Sequence, residues 1–90
     1  MKKVVPIQNK LGLHARSAAS FVRIANQFTS DITVRRVRSR YKIEGKSILG
    51  LMSLAASYGK EIEIEIQGED EEEAMEALVS LVNNKFGEGE

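Results

Sequence analysis

The sequence predicts an α+β fold in which three helices cover one face of a four-stranded antiparallel sheet. Apolar residues recur at helical spacing in three segments, and they alternate with polar residues in the predicted strands. The segments follow one another in the order β-α-β-β-α-β-α. Because the clearest strand has one polar face, the helices are expected on the opposite face only.

The first strand and the first helix are predicted in the N-terminal third of the chain. The strand spans Lys3–Gln8 and places Val5 and Ile7 on one face. Pro6 has no N–H to donate, which fits an edge strand. The helix spans Ala15–Phe28. Its apolar stripe consists of Ala18, Phe21, Val22, Ala25 and Phe28.

The middle of the chain predicts a β-hairpin followed by a short helix. The two strands are Ile32–Val37 and Arg40–Glu44, with Tyr41 expected on the same face as Ile43. The turn between them lacks the Asn-Gly or Asp-Gly pair that is typical of tight hairpins, so the sequence leaves its geometry open. The second helix is predicted over Ser47–Ser57.

The last part of the chain predicts a strand and a third helix. Along Lys60–Gln67 isoleucine alternates with glutamate, so one face is expected to be buried and the other wet. The helix is predicted over Asp70–Lys85. We expect Asp70 to cap this helix together with Glu73. The apolar stripe consists of Met75, Leu78, Leu81, Val82 and Phe86.

Length and composition predict a single domain over residues 1–90. The chain has no cysteine, which excludes disulfides and thiol catalysis. No leader and no long apolar segment are evident, so we expect a cytoplasmic protein that does not insert into a membrane. The 13 basic and 13 acidic residues cancel, but they are segregated into a basic block at 35–42 and an acidic block at 69–73.

The candidate site lies between Leu11 and Ser17. Gly12 allows a sharp bend before the helix, which sets His14 beside first-turn N–H groups that have no partner within the helix. These donors and the helix dipole favour an anion. Arg16 adds a fixed positive charge, and imidazole is a good nucleophile near neutral pH. The loop therefore offers what a transient phosphohistidine requires.

Spacing alone also allows simpler interpretations of His14. A His-x-Arg pair is common, and such a histidine is often a helix cap or a surface residue. A metal site is not expected, because the chain has one histidine and no cysteine. No partner acid marks a hydrolytic triad, and no G-x-x-x-x-G-K-[ST] loop is present. We therefore expect no cofactor, and a phosphoryl group would have to come from another protein.

Three motifs resemble one known family. Residues 9–16, NKLGLHAR, resemble the active loop of HPr, the histidine-containing phosphocarrier of the bacterial phosphoenolpyruvate-dependent phosphotransferase system. Residues 45–56 resemble its regulatory-serine segment, and residues 68–71 are similar to the entry into its last helix. The resemblance covers essentially the whole chain. It implies the family's open-faced β-sandwich, with βαββαβα topology and three helices on one face of four antiparallel strands.

The resemblance also implies roles and partners. His14 accepts the phosphoryl group at Nδ1, and Arg16 neutralises its charge. We also expect Ala15 and Ser17 to bind phosphate. The chain would be a monomeric carrier and not an enzyme, charged by phospho-enzyme I and discharged to sugar-specific A domains or a regulator. Ser17 stands where the family usually has proline. Its hydroxyl either binds phosphate directly or loosens the loop.

The second motif contains Ser47, which precedes an apolar run and is therefore a good N-cap. The resemblance implies that a bifunctional kinase/phosphorylase phosphorylates it, which would add a charge of about −1.5 to −2. The apolar run leaves its helix little polar face, so part of it is expected to form a docking surface, full burial being the alternative. The expected contact residues are Ser20, Ile48, Leu49, Leu51 and Met52, beside Ala15 and Ser17.

Two other functions stay open at this point. One is the nitrogen-related branch of the same relay, whose carrier reports metabolic state; the Ser47 segment favours the sugar branch. The other is a small nucleic-acid-binding module that uses the basic hairpin, which looks longer than is usual in the family. Zero net charge and few aromatic residues argue against nucleic acid as a partner.

Overall fold

The computed structural model describes residues 1–89 and confirms the predicted α+β class. A single sheet has the strand order β1-β4-β2-β3, and all neighbours are antiparallel. The strands are β1 (Lys2–Pro6), β2 (Asp31–Arg36), β3 (Ile43–Glu44) and β4 (Glu61–Gln67). The helices are α1 (Ala15–Ala25), α2 (Ile48–Ser53) and α3 (Glu71–Asn83), followed by a 3₁₀ turn at Lys85–Gly87.

The central strand β4 separates the core from a charged face. Its three isoleucines are fully buried and pack with apolar residues of all three helices. The glutamates between them face the other way, where Arg35 Nε lies 3.0 Å from Glu63 Oε1. Lys42 forms a second ion pair, with Nζ 3.1 Å from Glu65 Oε1. The alternation therefore works as predicted, and Pro6 lies on the edge strand β1.

The predicted hairpin and second helix are both shorter in the structure. Arg38 has a left-handed φ of 78°, and the Ser39 N–H donates to the Arg36 carbonyl at 3.0 Å, so the chain turns out of the sheet after β2. It returns only for the two residues of β3, which leaves Tyr41 exposed before the strand. Helix α2 ends at Ser53, and Ala55 then adopts a positive φ of 50°.

Asp70 is the N-cap residue of α3, as predicted, but its side chain makes no capping hydrogen bond, because its carboxylate is used elsewhere. It accepts hydrogen bonds from the backbone N–H of Thr29 at 2.8 Å and of Ser30 at 3.0 Å. The Ser30 hydroxyl donates to the same carboxylate. The side chain therefore fastens the loop before β2 to the start of α3, which is a contact across 40 residues of sequence.

The C-terminal end of α3 also differs from the prediction. The helix ends at Asn83, so neither Lys85 nor Phe86 belongs to it. Phe86 lies in the 3₁₀ turn with a left-handed φ of 55°, yet its side chain is buried in the core. The apolar spacing predicted a longer helix because Phe86 is buried like the residues of the helix stripe. Its burial comes from the turn that follows the helix.

The Asp70 contacts make part of the folding stability dependent on pH. Hydrogen bonds, first from the Ser30 hydroxyl and then from Thr29, lower the pKa of Asp70 from 3.8 to about 2. A carboxyl group whose pKa is lower in the folded state stabilises the fold above its unfolded pKa, and this contribution is lost as the pH falls through the folded value. Asp70→Asn should therefore flatten the loss of stability between about pH 4 and pH 2.

Urea unfolding of both proteins across that range measures the effect. Ser30→Ala, which removes the first donor but keeps the carboxylate, should give an intermediate slope. Parallel pH curves for the wild type and Asp70→Asn would contradict the assignment.

Candidate functional site

The loop between β1 and α1 is pressed against the chain that follows α2. Gly12 has φ +66°, and a Cβ atom there would lie 2.5 Å from the Ala56 carbonyl oxygen and 2.8 Å from Ser57 Cα. No side chain fits, so the close approach requires glycine. The Leu13 N–H then donates to the Ala56 carbonyl at 2.9 Å. This packing determines where the next residue, His14, begins the helix.

His14 is the N-cap residue of α1. Its Nδ1 accepts a hydrogen bond of 3.3 Å from the Arg16 backbone N–H, and its carbonyl accepts from the Ala18 N–H at 2.8 Å. The ring is about a quarter exposed, at 26%. Nδ1 therefore faces the first-turn N–H groups, which have no partner within the helix, and the positive end of the helix dipole.

Ser17 is fully buried and holds the loop together. Its hydroxyl accepts from the His14 backbone N–H at 2.9 Å and donates to the Gly12 carbonyl at 2.8 Å. Because both contacts are internal, the structure corrects the expectation that this hydroxyl binds phosphate or loosens the loop. The Ser17 backbone N–H stays in the first turn of the helix, beside that of the exposed Ala15.

Glu88 is the site residue that the sequence did not reveal. Its Oε2 lies 2.6 Å from His14 Nε2, and its Oε1 accepts from Asn9 Nδ2 at 2.8 Å. Burial alone would raise the pKa of Glu88, but these two hydrogen bonds and the nearby charges of His14 and Arg16 outweigh it and lower the pKa. The contact spans 74 residues, so no local pattern marks it.

Arg16 is exposed and lies next to the histidine. Its side chain is 73% exposed, and its Nε is 3.9 Å from Glu88 Oε2. That separation is long for an ion pair, and a pair whose cation is this exposed is worth little in stability. The guanidinium group can therefore reach an anion bound at Nδ1 without giving up a strong contact.

The predicted docking residues separate into exposed and buried groups. Ile48, Leu49 and Met52 are exposed, with Leu49 at 78%, and Ser20 is half-buried on α1. Leu51 is fully buried, so it is wrong as a contact residue. A six-residue helix turns one side to the core, and Leu51 occupies that side.

Ser47 is the N-cap of α2, as its position predicted. Its hydroxyl oxygen accepts a 3.0 Å hydrogen bond from the Gly50 N–H. The side chain is half-buried at the exposed end of the helix, directly before Ile48. Capping therefore leaves it beside the exposed apolar residues.

The acidic block follows the end of β4 that is opposite to Arg36 of the basic block. Arg36 is paired with Ile62 at one end of β4, whereas Asp31 is paired with Gln67 at the other. Two of the five basic residues of the hairpin, Arg35 and Lys42, are engaged in ion pairs on the sheet. The basic hairpin is therefore partly neutralised by its own strands.

Residues 1–89 contain neither a metal-binding cluster nor a membrane-spanning helix. No group of three or more histidine, cysteine, aspartate or glutamate side chains in this part of the chain is placed to hold a metal ion. Over the same residues, none of the helices is long and apolar enough to cross a membrane.

Solved structures place this fold and loop in one class of protein. HPr-C-His from Thermoanaerobacter tengcongensis matches with a TM-score of 0.90 at 46% identity, over 98% of this chain and 97% of the other. An HPr dimer from the same organism matches with a TM-score of 0.76 at 49% identity, over 93% and 94%. The fold and the histidine loop are those of the small phosphocarrier proteins.

Sequence comparison identifies the family. The family model "PTS HPr component phosphorylation site" matches residues 1–84. Phosphocarrier protein HPr of Neisseria meningitidis serogroup A is 52% identical over 90 residues, which is 100% of this chain and 99% of that protein. The chain belongs to the HPr family and is a phosphocarrier of the phosphotransferase system, not an enzyme in its own right. Glu88 lies beyond the residues that the family model matches.

The buried hydroxyl of Ser17 should be important for stability. Ser17→Ala leaves the Gly12 carbonyl without one donor and the His14 N–H without its acceptor, at a cost of about 2 kcal/mol in the free energy of unfolding. Ser20→Ala on the same helix is the matched control and should change stability by less than about 0.5 kcal/mol. Denaturant unfolding measures both values, and equal stabilities of the two variants would contradict the role of Ser17.

Proposed function

We propose that His14 Nδ1 accepts a phosphoryl group from phospho-enzyme I and passes it to sugar-specific A domains. The observation that carries the proposal is the position of Nδ1 against the first-turn N–H groups of α1, where it accepts a 3.3 Å hydrogen bond from that of Arg16. The same donors and the helix dipole suit the oxygens of a phosphoryl group on that nitrogen. The exposed Arg16 guanidinium supplies the opposite charge.

Transfer of the phosphoryl group to His14 forms one bond to phosphorus and breaks another. The Nδ1 lone pair forms a bond to phosphorus while the bond from phosphorus to the donor breaks, and its electron pair stays on the donor. The first-turn N–H groups of Ala15, Arg16 and Ser17 then hold the phosphoryl oxygens in place of the ring nitrogen. Release to an acceptor is the same step in reverse, which suits a carrier.

The partners and setting follow from membership of the phosphotransferase relay. Relatives of this chain are named phosphocarriers, and its loop resembles theirs over residues 9–16. We propose that the protein acts in the cytoplasm as a single-domain monomer, without a bound cofactor and without nucleic acid. The nitrogen-related branch is the alternative assignment within the relay; the segment around Ser47 favours the sugar branch.

The docking surface is proposed to consist of the exposed residues of α2 together with one residue of α1: Ile48, Leu49, Met52 and Ser20. Helix α2 packs against α1, the helix that His14 caps, so a partner that covers these residues approaches the nucleophile. An exposed apolar patch rimmed by polar side chains is typical of protein interfaces.

Phosphorylation of Ser47 is proposed to weaken this docking. The hydroxyl lies at the edge of the patch, next to Ile48. A phosphoserine places about two negative charges beside apolar residues that must lose their water on binding, which opposes association. A serine kinase/phosphorylase and regulators that read the modification are the partners that this implies.

Labelling identifies the acceptor. Incubation with phosphoenolpyruvate and enzyme I should produce an acid-labile, alkali-stable phosphate on the wild type and none on His14→Ala. Arg16→Gln should slow labelling by about tenfold or more, because a donor to the developing charge is lost. Arg38→Gln, in the basic hairpin, is the control and should label at the wild-type rate. A labelled His14→Ala protein would show that another residue is the acceptor.

Two substitutions at Ser47 separate capping from charge. Ser47→Ala removes the cap, at a cost of about 1 kcal/mol in stability, and should leave the rate of phosphoryl acceptance unchanged. Ser47→Asp keeps a good cap but adds a charge at the docking surface. It should lower acceptance from enzyme I by about tenfold, equivalent to roughly 1.4 kcal/mol of docking free energy. Equal rates for the two variants would rule out electrostatic control at this position.

A further inference from the structure

The carboxylate of Glu88 contacts the imidazole on the side opposite to the nitrogen that faces the helix. Oε2 of Glu88 lies 2.6 Å from His14 Nε2, whereas Nδ1 faces the Arg16 N–H. We propose that Glu88 is a positioning residue for phosphoryl transfer, which holds the proton on Nε2 and stabilises the positive charge of the phosphorylated ring. This inference rests on the proposed role of His14 as the acceptor.

The tail that carries Glu88 is held in a defined turn. Lys85, Phe86 and Gly87 have φ values of 56°, 55° and 78°. A left-handed conformation is unfavourable for a residue with a side chain, so it persists only where the surroundings fix it. Here the buried side chain of Phe86 anchors the turn, and the Glu88 N–H donates to the Lys85 carbonyl at 2.9 Å. The turn places the side chain of Glu88 beside His14.

A second anchor ties the tail to the loop that carries the histidine. Asn9 is fully buried, and its Nδ2 donates both to Glu88 Oε1 at 2.8 Å and to the Gly12 carbonyl at 2.9 Å. Each carboxylate oxygen therefore has its own partner, one in the loop and one on the ring. Because the pKa of Glu88 is lowered by these contacts, the group is ionised at neutral pH.

The Glu88 carboxylate lies beside the ring that gains a positive charge during transfer. A neutral ring with its proton on Nε2 attacks phosphorus through Nδ1, the bond from phosphorus to the donor breaks, and the electron pair stays on the donor. The Nε2 proton does not leave, so the ring becomes cationic while the carboxylate remains its counter-ion. Glu88 leaves Nδ1 uncovered, because the two nitrogens lie on different sides of the ring.

The inference is tested with Glu88→Gln, which removes the charge but keeps a hydrogen-bonding side chain. Phosphoryl acceptance from phospho-enzyme I should slow by about tenfold, the order expected for one hydrogen bond to a charged group. Glu69→Gln removes an exposed acid at the other end of the sheet and should leave the rate unchanged. Unfolding curves should show that both variants fold cooperatively and are fully folded under the assay conditions, so that slower transfer by Glu88→Gln is not caused by loss of the fold.

A measurement without any partner isolates the contact itself. In ¹⁵N-edited spectra at neutral pH, the wild type and Glu69→Gln should show a His14 Nε2–H protected from exchange with water. Glu88→Ala should lose that protection. Loss of the signal in the wild type, or an unchanged transfer rate in Glu88→Gln, would overturn the inference. A wild type that is not phosphorylated on His14 overturns the proposed function instead, even where the protected Nε2–H is present.

Discussion

The close approach of Gly12 to the backbone of Ala56 is the constraint on which the site depends. The absence of a side chain at Gly12 lets the loop press against the segment after α2, and the Leu13 N–H completes the contact. The chain then has to enter α1 at His14. The location of His14 is therefore determined by backbone packing between two loops.

A histidine cap suits a transient modification. Serine, threonine, asparagine and aspartate are the usual N-cap residues. The oxygen atoms of their short side chains accept hydrogen bonds from the first-turn N–H groups. His14 makes only a long hydrogen bond of 3.3 Å from Nδ1 to the Arg16 N–H. In the proposed mechanism the phosphoryl oxygens take over as acceptors when Nδ1 is modified. The same donors are satisfied in both states, so little reorganisation is needed in either direction of transfer.

Local patterns predicted the elements well, but they did not predict partners that are distant in the chain. Strict alternation identified β4, and glycine before a histidine identified the loop, because both signals act within a few residues. Asp70 followed by Glu73 looks the same whether the carboxylate caps its own helix or binds Thr29. The apolar run of α2 likewise did not distinguish the buried Leu51 from its exposed neighbours, since nearly every position in it is apolar.

The hydrogen bonds that fix the loop, which the sequence did not reveal, converge on the Gly12 carbonyl oxygen. The Gly12 carbonyl oxygen accepts from Ser17 Oγ at 2.8 Å and from Asn9 Nδ2 at 2.9 Å, and Asn9 in turn holds Glu88. Proline, the residue usual in the family at position 17, has no hydroxyl to make the first of these bonds. Glu88 lies beyond the segment that the family model matches. The fold around His14 is thus that of the family, and within it the loop is fixed by side chains from three separate parts of the chain, Asn9, Ser17 and Glu88.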